Sequence, residues 1–197
     1  MNASATPPRW AESLLQLVVS REDFESVSGD LLEEYRDSIR PARGPGRADR
    51  WYVAQVLGFA WRSTALWAAL FAAAFLARTA LDWLVPPSDF SLRSLVTTYL
   101  AIGILLCAGF SASWRVGSIR AGAVAGILST AIAAPISLVG ASMLLAVWHD
   151  PGTMAAVEGS GGLGEAFVLP WMAIVPGALV GAVGGVVGAA ASRLRPS

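Results

Sequence analysis

The stretch RWYVAQVLGFAWRSTALWAALFAAAFLARTALDWL, residues 50–84, decides the fold of this chain. The sequence before it is charged, and the sequence after it is almost entirely apolar. Inside the stretch an uncharged run separates Arg62 from Arg78. On a helix these two arginines lie about 24 Å apart along the axis, and their side chains can extend to both surfaces of a hydrocarbon core of roughly 30 Å. We therefore predict a first transmembrane helix over residues 62–84.

The overall composition is typical of a membrane protein. Of the 197 residues, 55% are hydrophobic and 14% are charged. A soluble domain of this size carries about 25% charged residues. The formal net charge is zero, so the composition gives no reason to expect nucleic acid as a partner. Cys107 is the sole cysteine and His149 the sole histidine, so we expect no disulfide, no metal site and no cofactor.

Residues 1–50 are predicted to form a small helical module on the cytosolic side. Apolar residues recur at helical spacing in two runs and predict helices over residues 7–19 and 21–40. Proline and glycine then predict a linker over residues 41–49. The residues expected in the core shared by the two helices are Trp10, Phe24, Leu31 and Tyr35.

A hairpin of two short helices buries too little apolar surface to be stable alone, because domains below about 40 residues usually need a disulfide, a metal or a partner. No usable cysteine pair or metal set is present in the sequence. The hairpin must therefore lean on another surface. The two candidates are the amphipathic start of the third segment, Trp51 to Val56, at the membrane surface, and a separate protein.

Four carboxylates stand on the outward side of the second helix, and we call them the acidic row: Asp30, Glu33, Glu34 and Asp37. A metal or acid–base site would need additional ligands, and a solvated face is the more ordinary interpretation. The acidic row would repel an anionic leaflet, which leaves it free to meet a basic surface. We therefore predict that it docks a protein partner.

Residues 51–197 are predicted to form a membrane domain of four helices. The predicted spans cover residues 62–84, 95–114, 121–148 and 167–191. The polar segment between the last two spans, HDPGTMAAVEGSGGLGE, is predicted to be a loop. The fold class that follows is all-α: an integral membrane four-helix bundle preceded by a small cytosolic helical hairpin.

Small residues recur every four positions on the third and fourth predicted spans. Such spacing lets helix backbones approach closely in lipid, where no hydrophobic drive brings helices together. The residues predicted to pack in this way are Gly122, Gly126, Gly177, Gly181 and Gly185. The last three spans carry no charge in their central runs, which disfavours a transport pathway. Pro135, Pro170 and Pro176 could nevertheless unwind helices around a small cavity.

Several N-terminal motifs resemble a known module. They are PPRWAESLLQL, then REDFESVSGDLLEEYRD, then RWYVAQVL, within residues 7–61. This part is similar to permease prefix domain 2, which precedes the core of acidobacterial-type duplicated orphan ABC permeases. The chain departs from that family because no extracytoplasmic permease core follows. The resemblance implies no catalytic residues, and export activity does not carry over.

We therefore expect a non-catalytic accessory or regulatory protein of the bacterial cytoplasmic (inner) membrane. Its module would dock a partner protein, either of the ABC-permease type or a regulator, because the chain is also generally similar to helical modules that accompany PadR-type transcriptional regulators. Membrane lipid is the other expected partner. The alternative is a small transporter or permease-like subunit. An enzyme ranks third, since no nucleophile–base pair, metal set or nucleotide motif supports one.

The arginine distribution predicts the topology. Placing both termini in the cytosol leaves twelve of the fourteen arginines inside, with only Arg78 and Arg93 outside. A cysteine introduced near Glu158 should therefore react with an impermeant thiol reagent in intact cells, whereas one near Gly44 should not. The unaltered chain provides the background. The reverse labelling pattern would contradict this topology.

Overall fold

The computed structural model describes residues 6–194, which form helices and no strand, so the predicted all-α class is confirmed. We number eight helices in chain order. Helix α2 continues beyond its regular part through the π-helical turn Glu34–Ile39 and the short end Arg40–Arg43. The helices are α1 (Arg9–Val18), α2 (Phe24–Glu33), α3 (Pro45–Leu84), α4 (Ser91–Val116), α5 (Ile119–Val147), α6 (Pro151–Gly159), α7 (Gly162–Met172) and α8 (Ile174–Ser192).

Four of these helices, α3, α4, α5 and α8, are long and apolar enough to cross a membrane. Large apolar side chains on their outer faces are exposed, among them Leu179 at 66% and Tyr99 at 66%. Helix α3 has 40 residues. Its length of about 60 Å is twice a typical hydrocarbon core, so part of it must project beyond the bilayer. The four helices are compatible with a multi-pass membrane protein.

Helix α8 packs closely against both α4 and α5. A Cβ built on Gly122 of α5 would lie 2.6 Å from the carbonyl oxygen of Gly181 and 2.8 Å from Cα of Gly185. On another side of α8, Gly184 and Gly188 contact the backbone of α4 in the same manner. The five glycines predicted to pack between helices are all buried in this region: Gly122, Gly126, Gly177, Gly181 and Gly185.

The fourth span is not the single helix that was predicted over residues 167–191. It is interrupted at Ala173, where α7 ends and α8 begins. Pro176 has no N–H to donate to the carbonyl group of Met172, and its ring crowds that turn of helix. Pro135 has no such effect, because α5 continues through it.

The segment predicted to be a loop before the fourth span is mostly helical. Helix α6 occupies its first half, and α7 begins at Gly162. Asp150 caps α6, because its Oδ1 accepts hydrogen bonds from the backbone N–H groups of Gly152 at 3.0 Å and Thr153 at 3.1 Å. An aspartate at the N-cap followed by proline at the first helical position is a helix start signal, and it overrides the high glycine content.

The linker predicted over residues 41–49 is also helical. Helix α2 continues past Pro41 to Arg43, and α3 begins at Pro45. The π-helical turn precedes Pro41, which lacks the amide that an α-helix would bond to the carbonyl group of residue 37. Gly44, with a φ of 77°, makes the only break. The predicted domain boundary at residues 50 and 51 therefore falls inside α3.

The core of the N-terminal module includes the start of α3. Its most buried members are Ala11, Leu15, Tyr35, Ala48, Tyr52 and Val56. The hairpin thus leans on the segment Trp51 to Val56, one of the two predicted supports. Leu31 and Tyr35 lie in this core and Phe24 packs against it, as predicted. The prediction for Trp10 was wrong: its side chain is 56% exposed, because the buried face of α1 begins one residue later, at Ala11.

Replacing Gly181 by leucine should destabilise the bundle, because the side chain would enter the backbone of Gly122 and Gly126. Overpacking costs about 1–3 kcal/mol, which should lower the melting temperature in detergent by roughly 5 °C. Gly103→Leu is the matched control, since a Cβ there meets no atom within 4 Å. If both variants melted with the unaltered protein, Gly181 would not lie in a close helix contact.

Candidate functional site

All four carboxylates of the acidic row are exposed. Asp30 and Glu33 belong to the regular part of α2, and Glu34 and Asp37 lie in its π-helical turn. None of the four forms an ion pair or a side-chain hydrogen bond with another residue of the described range 6–194. The structure therefore brings together four negative charges that have no ion-pair partner in the described part of the chain.

Tyr35 fixes the orientation of the acidic row relative to α3. Its ring meets that of Tyr52 edge to face, with the ring centroids 5.9 Å apart at an interplanar angle of 80°. Its hydroxyl group donates a hydrogen bond of 2.6 Å to Oδ1 of Asp49. Burial and this hydrogen bond raise the pKa of Tyr35 above its ordinary value of 10.0, so the phenol is neutral at physiological pH. These two contacts hold the helix that carries the acidic row against α3.

The module also contacts the turn between α4 and α5, residues 117–118, and we call this the module end of the bundle. The backbone N–H of Arg21 donates to the carbonyl oxygen of Arg115 at 3.3 Å. Leu17 of α1 packs against Ala121 and Ala125 at the start of α5. The N-terminal module is thus joined to the bundle through two elements besides α3.

The opposite end of the bundle, at the α3–α4 loop of residues 85–90, is called the far end and carries an ion-pair network. Arg78 binds Asp82 on the next turn of α3 at 3.1 Å and Glu165 of α7 at 2.6 Å. Arg93 of α4 binds Asp82 at 3.3 Å. Asp82 is 2% exposed, so it is a buried charge held between two guanidinium groups.

This network joins three helices that are far apart in the sequence. Arg93 also donates to the carbonyl oxygens of Leu81 at 2.8 Å and Val85 at 2.9 Å, and so caps the C-terminal end of α3. A spacing of four residues places Arg78 and Asp82 on one face of α3, so the sequence alone is compatible with this pair. Arg93 and Glu165 were missed, because no local spacing connects them to the pair.

An apolar cavity of about 300 Å³ lies next to the network. Helices α3 and α4 and the interruption between α7 and α8 surround it. Its lining includes Phe71, Phe75, Leu105, Met172 and Pro176, and the guanidinium of Arg78 is the charged group of the lining. The cavity is small for a ligand site. Its apolar walls suit a small amphiphile, and Arg78 already has two carboxylate partners, Asp82 and Glu165.

The remaining polar candidates do not converge. No group of three or more His, Cys, Asp or Glu side chains that could hold a metal ion occurs in the described part of the chain. His149 is exposed. Ser129 and Ser137 of α5 are buried without a hydrogen-bond partner among the described residues, whereas Thr130 donates to the carbonyl oxygen of Gly126 at 2.9 Å. The two unpartnered serines do not line the cavity.

Comparisons with known proteins do not extend these observations. The chain matches no protein-family model, no curated protein and no solved structure. The resemblance of residues 7–61 to permease prefix domain 2 therefore stays a prediction. Function is inferred from the geometry of this chain.

Replacing Asp82 by asparagine should destabilise the far end, because Arg78 and Arg93 would lose their shared carboxylate. The expected cost is about 3 kcal/mol, at the lower end for buried pairs because Arg93 is partly exposed. The melting temperature in detergent should fall by roughly 6 °C or more. Glu158→Gln, at an exposed position, should leave it unchanged. Equal melting of the two variants would show that the network does not hold the helices together.

Proposed function

We propose that this chain is a non-catalytic accessory or regulatory membrane protein whose N-terminal module docks a partner protein. The observation that carries the proposal is the exposed and unpaired acidic row on a module whose core is already closed by α3. The module does not need a partner to complete its core. What it leaves open is a charged face.

The charge arrangement supports a basic partner. Like charges three and four residues apart on a helix repel each other and lower its stability. The acidic row repeats this arrangement, with members at positions 30, 33, 34 and 37. A partner surface that presents lysine or arginine would relieve the repulsion and be steered towards the row.

The continuous helix α3 supports a role in transmitting the effect of partner binding from the module to the far end of the bundle. Helix α3 runs without interruption from the module core to the far end. From Tyr52 to Arg78 it covers about 40 Å. At one end it is held by the contact of Tyr35 with Tyr52, and at the other by the ion pairs of Arg78. A displacement of the module would therefore reach α4 and α7 through a rigid helix.

The proposed location is the bacterial cytoplasmic membrane, with both termini in the cytosol. The positive-inside bias of the arginines supports this orientation. It places the acidic row where a cytosolic regulator, or the cytosolic face of an ABC-type permease, can be reached. A partner of either kind would have to offer a basic surface.

Charge reversal tests the proposal. Crosslinking in native membranes captures a partner protein on the full-length chain. Glu33→Lys combined with Glu34→Lys should lower the yield of this crosslinked complex at least tenfold. Added salt should weaken the complex of the unaltered chain. The matched control is Glu12→Lys combined with Glu25→Lys, which changes the charge equally on the same module but outside the row.

Two results distinguish docking from incidental contact. Complementary acidic substitutions on the partner should restore binding to the lysine variant. Retention of the partner by the lysine variant, or equal loss in the control, would contradict docking through the acidic row.

The apolar cavity favours one alternative, a small transporter or permease-like subunit. A helix interrupted beside a cavity is a common feature of transporters, and here the α7–α8 interruption lies beside the cavity that contains Arg78. This alternative expects the purified chain to move a small amphiphilic solute across liposomes without any partner. The accessory role expects no such flux.

A further inference from the structure

The arginines at the two ends of the bundle differ in how they are neutralised. At the far end, Arg78 and Arg93 are both ion-paired. At the module end, the arginines at positions 21, 62, 115 and 120 form no ion pair with another residue between 6 and 194. These four arginines therefore differ from Arg78 and Arg93 in having no carboxylate partner among the described residues.

Two of these arginines, Arg62 of α3 and Arg115 of α4, line one cleft of about 410 Å³. We call it the Arg62–Arg115 cleft. Ser20 and Asp23 of the α1–α2 turn, with Ser26 of α2, form another wall. Nε of Arg115 donates a hydrogen bond to the carbonyl oxygen of Ser111 at 3.3 Å. The two terminal nitrogens of the same guanidinium group have no hydrogen-bond partner in the described range.

The cleft contains one carboxylate, that of Asp23. This group accepts a hydrogen bond of 2.5 Å from the hydroxyl of Ser20. Two guanidinium groups and one carboxylate leave a net charge of one positive unit in the cleft. A single phosphodiester carries the one negative charge that would balance it.

From the ends of the long apolar helices we infer that the cleft lies near one surface of the membrane. It is at the module end, where the apolar helix α4 ends and α5 begins. Trp61, next to Arg62, is 53% exposed, and tryptophan favours the level of the lipid headgroups. Val18, Val27 and Phe59 add apolar walls to the same cleft. The cleft therefore combines charged and apolar walls, which match the charged headgroup and the apolar acyl chains of a phospholipid.

We propose that the Arg62–Arg115 cleft binds the headgroup phosphate of an anionic phospholipid. Guanidinium groups bind phosphate oxygens through paired N–H donors, and basic pockets between transmembrane helices are suited to lipid headgroups. A zwitterionic headgroup is disfavoured, because its cation would lie close to the two guanidinium groups. A soluble anion would make no use of the apolar walls. The bound lipid joins the α1–α2 turn to α3 and α4.

Lipid binding by the purified full-length chain tests this proposal by native mass spectrometry from detergent. Phosphatidylglycerol should bind at least tenfold more tightly than phosphatidylcholine. Arg62→Gln combined with Arg115→Gln should lower the affinity for phosphatidylglycerol at least tenfold. Arg43→Gln combined with Arg47→Gln is the matched control, since it removes the same charge from exposed positions outside the cleft and should retain binding.

A second double variant tests whether the paired N–H donors contribute to phosphate binding beyond the positive charge. Arg62→Lys combined with Arg115→Lys keeps the charge but not the paired donors, and its affinity should fall between those of the unaltered chain and the glutamine variant. Equal binding of the two lipids, or equal loss in the glutamine variant and its control, would overturn the proposal. Binding of inorganic phosphate at the same arginines without preference for phosphatidylglycerol would also overturn it, because the source would then be a soluble anion.

Discussion

The direct backbone contact between α8 and its neighbours α4 and α5 is the interaction on which the membrane bundle depends. Helices in lipid gain nothing from hiding apolar side chains from water, so their association relies on close packing. Gly181 and Gly122 provide that packing by removing the side chains that would separate the helices. Once α8 is held there, the interruption at Ala173 gives the last span a separate outer segment, α7. That segment brings Glu165 to Arg78 and forms one wall of the apolar cavity.

Helix α3 makes one structural unit of the module and the bundle. A flexible linker would have left the acidic row free to move independently of the membrane helices. Instead, the module core is built on Tyr52 and Val56, and the same helix ends in the network around Asp82. In the role that we propose, binding at the acidic row would act on a continuous helix that reaches the far end of the bundle. This property suits an accessory protein whose purpose is to couple a partner to the membrane.

The arginines at the two ends of the bundle differ in whether they form ion pairs. At the far end, each arginine meets a carboxylate, and the buried Asp82 is neutralised inside the protein. At the module end, Arg62 and Arg115 face a cleft without an ion-pair partner among residues 6–194. The first arrangement stabilises the contact between helices. The second is the arrangement from which we propose a site for a lipid headgroup, because headgroups are a dense layer of anions at a membrane surface.

Hydropathy and helical spacing in the sequence alone determined the all-α class, the number of long apolar helices, the glycine faces and the exposure of the acidic row. Those patterns depend on neighbours within a few residues. Tertiary structure alone decided which partners meet. Glu165 lies 87 residues from Arg78, and no local pattern connects them. The exposure of Trp10 and the helical linker were likewise mispredicted, because packing on α3 selected a different face of α1 and the π-helical turn carried α2 past Pro41. Such outcomes depend on contacts between distant segments, which local periodicity does not encode.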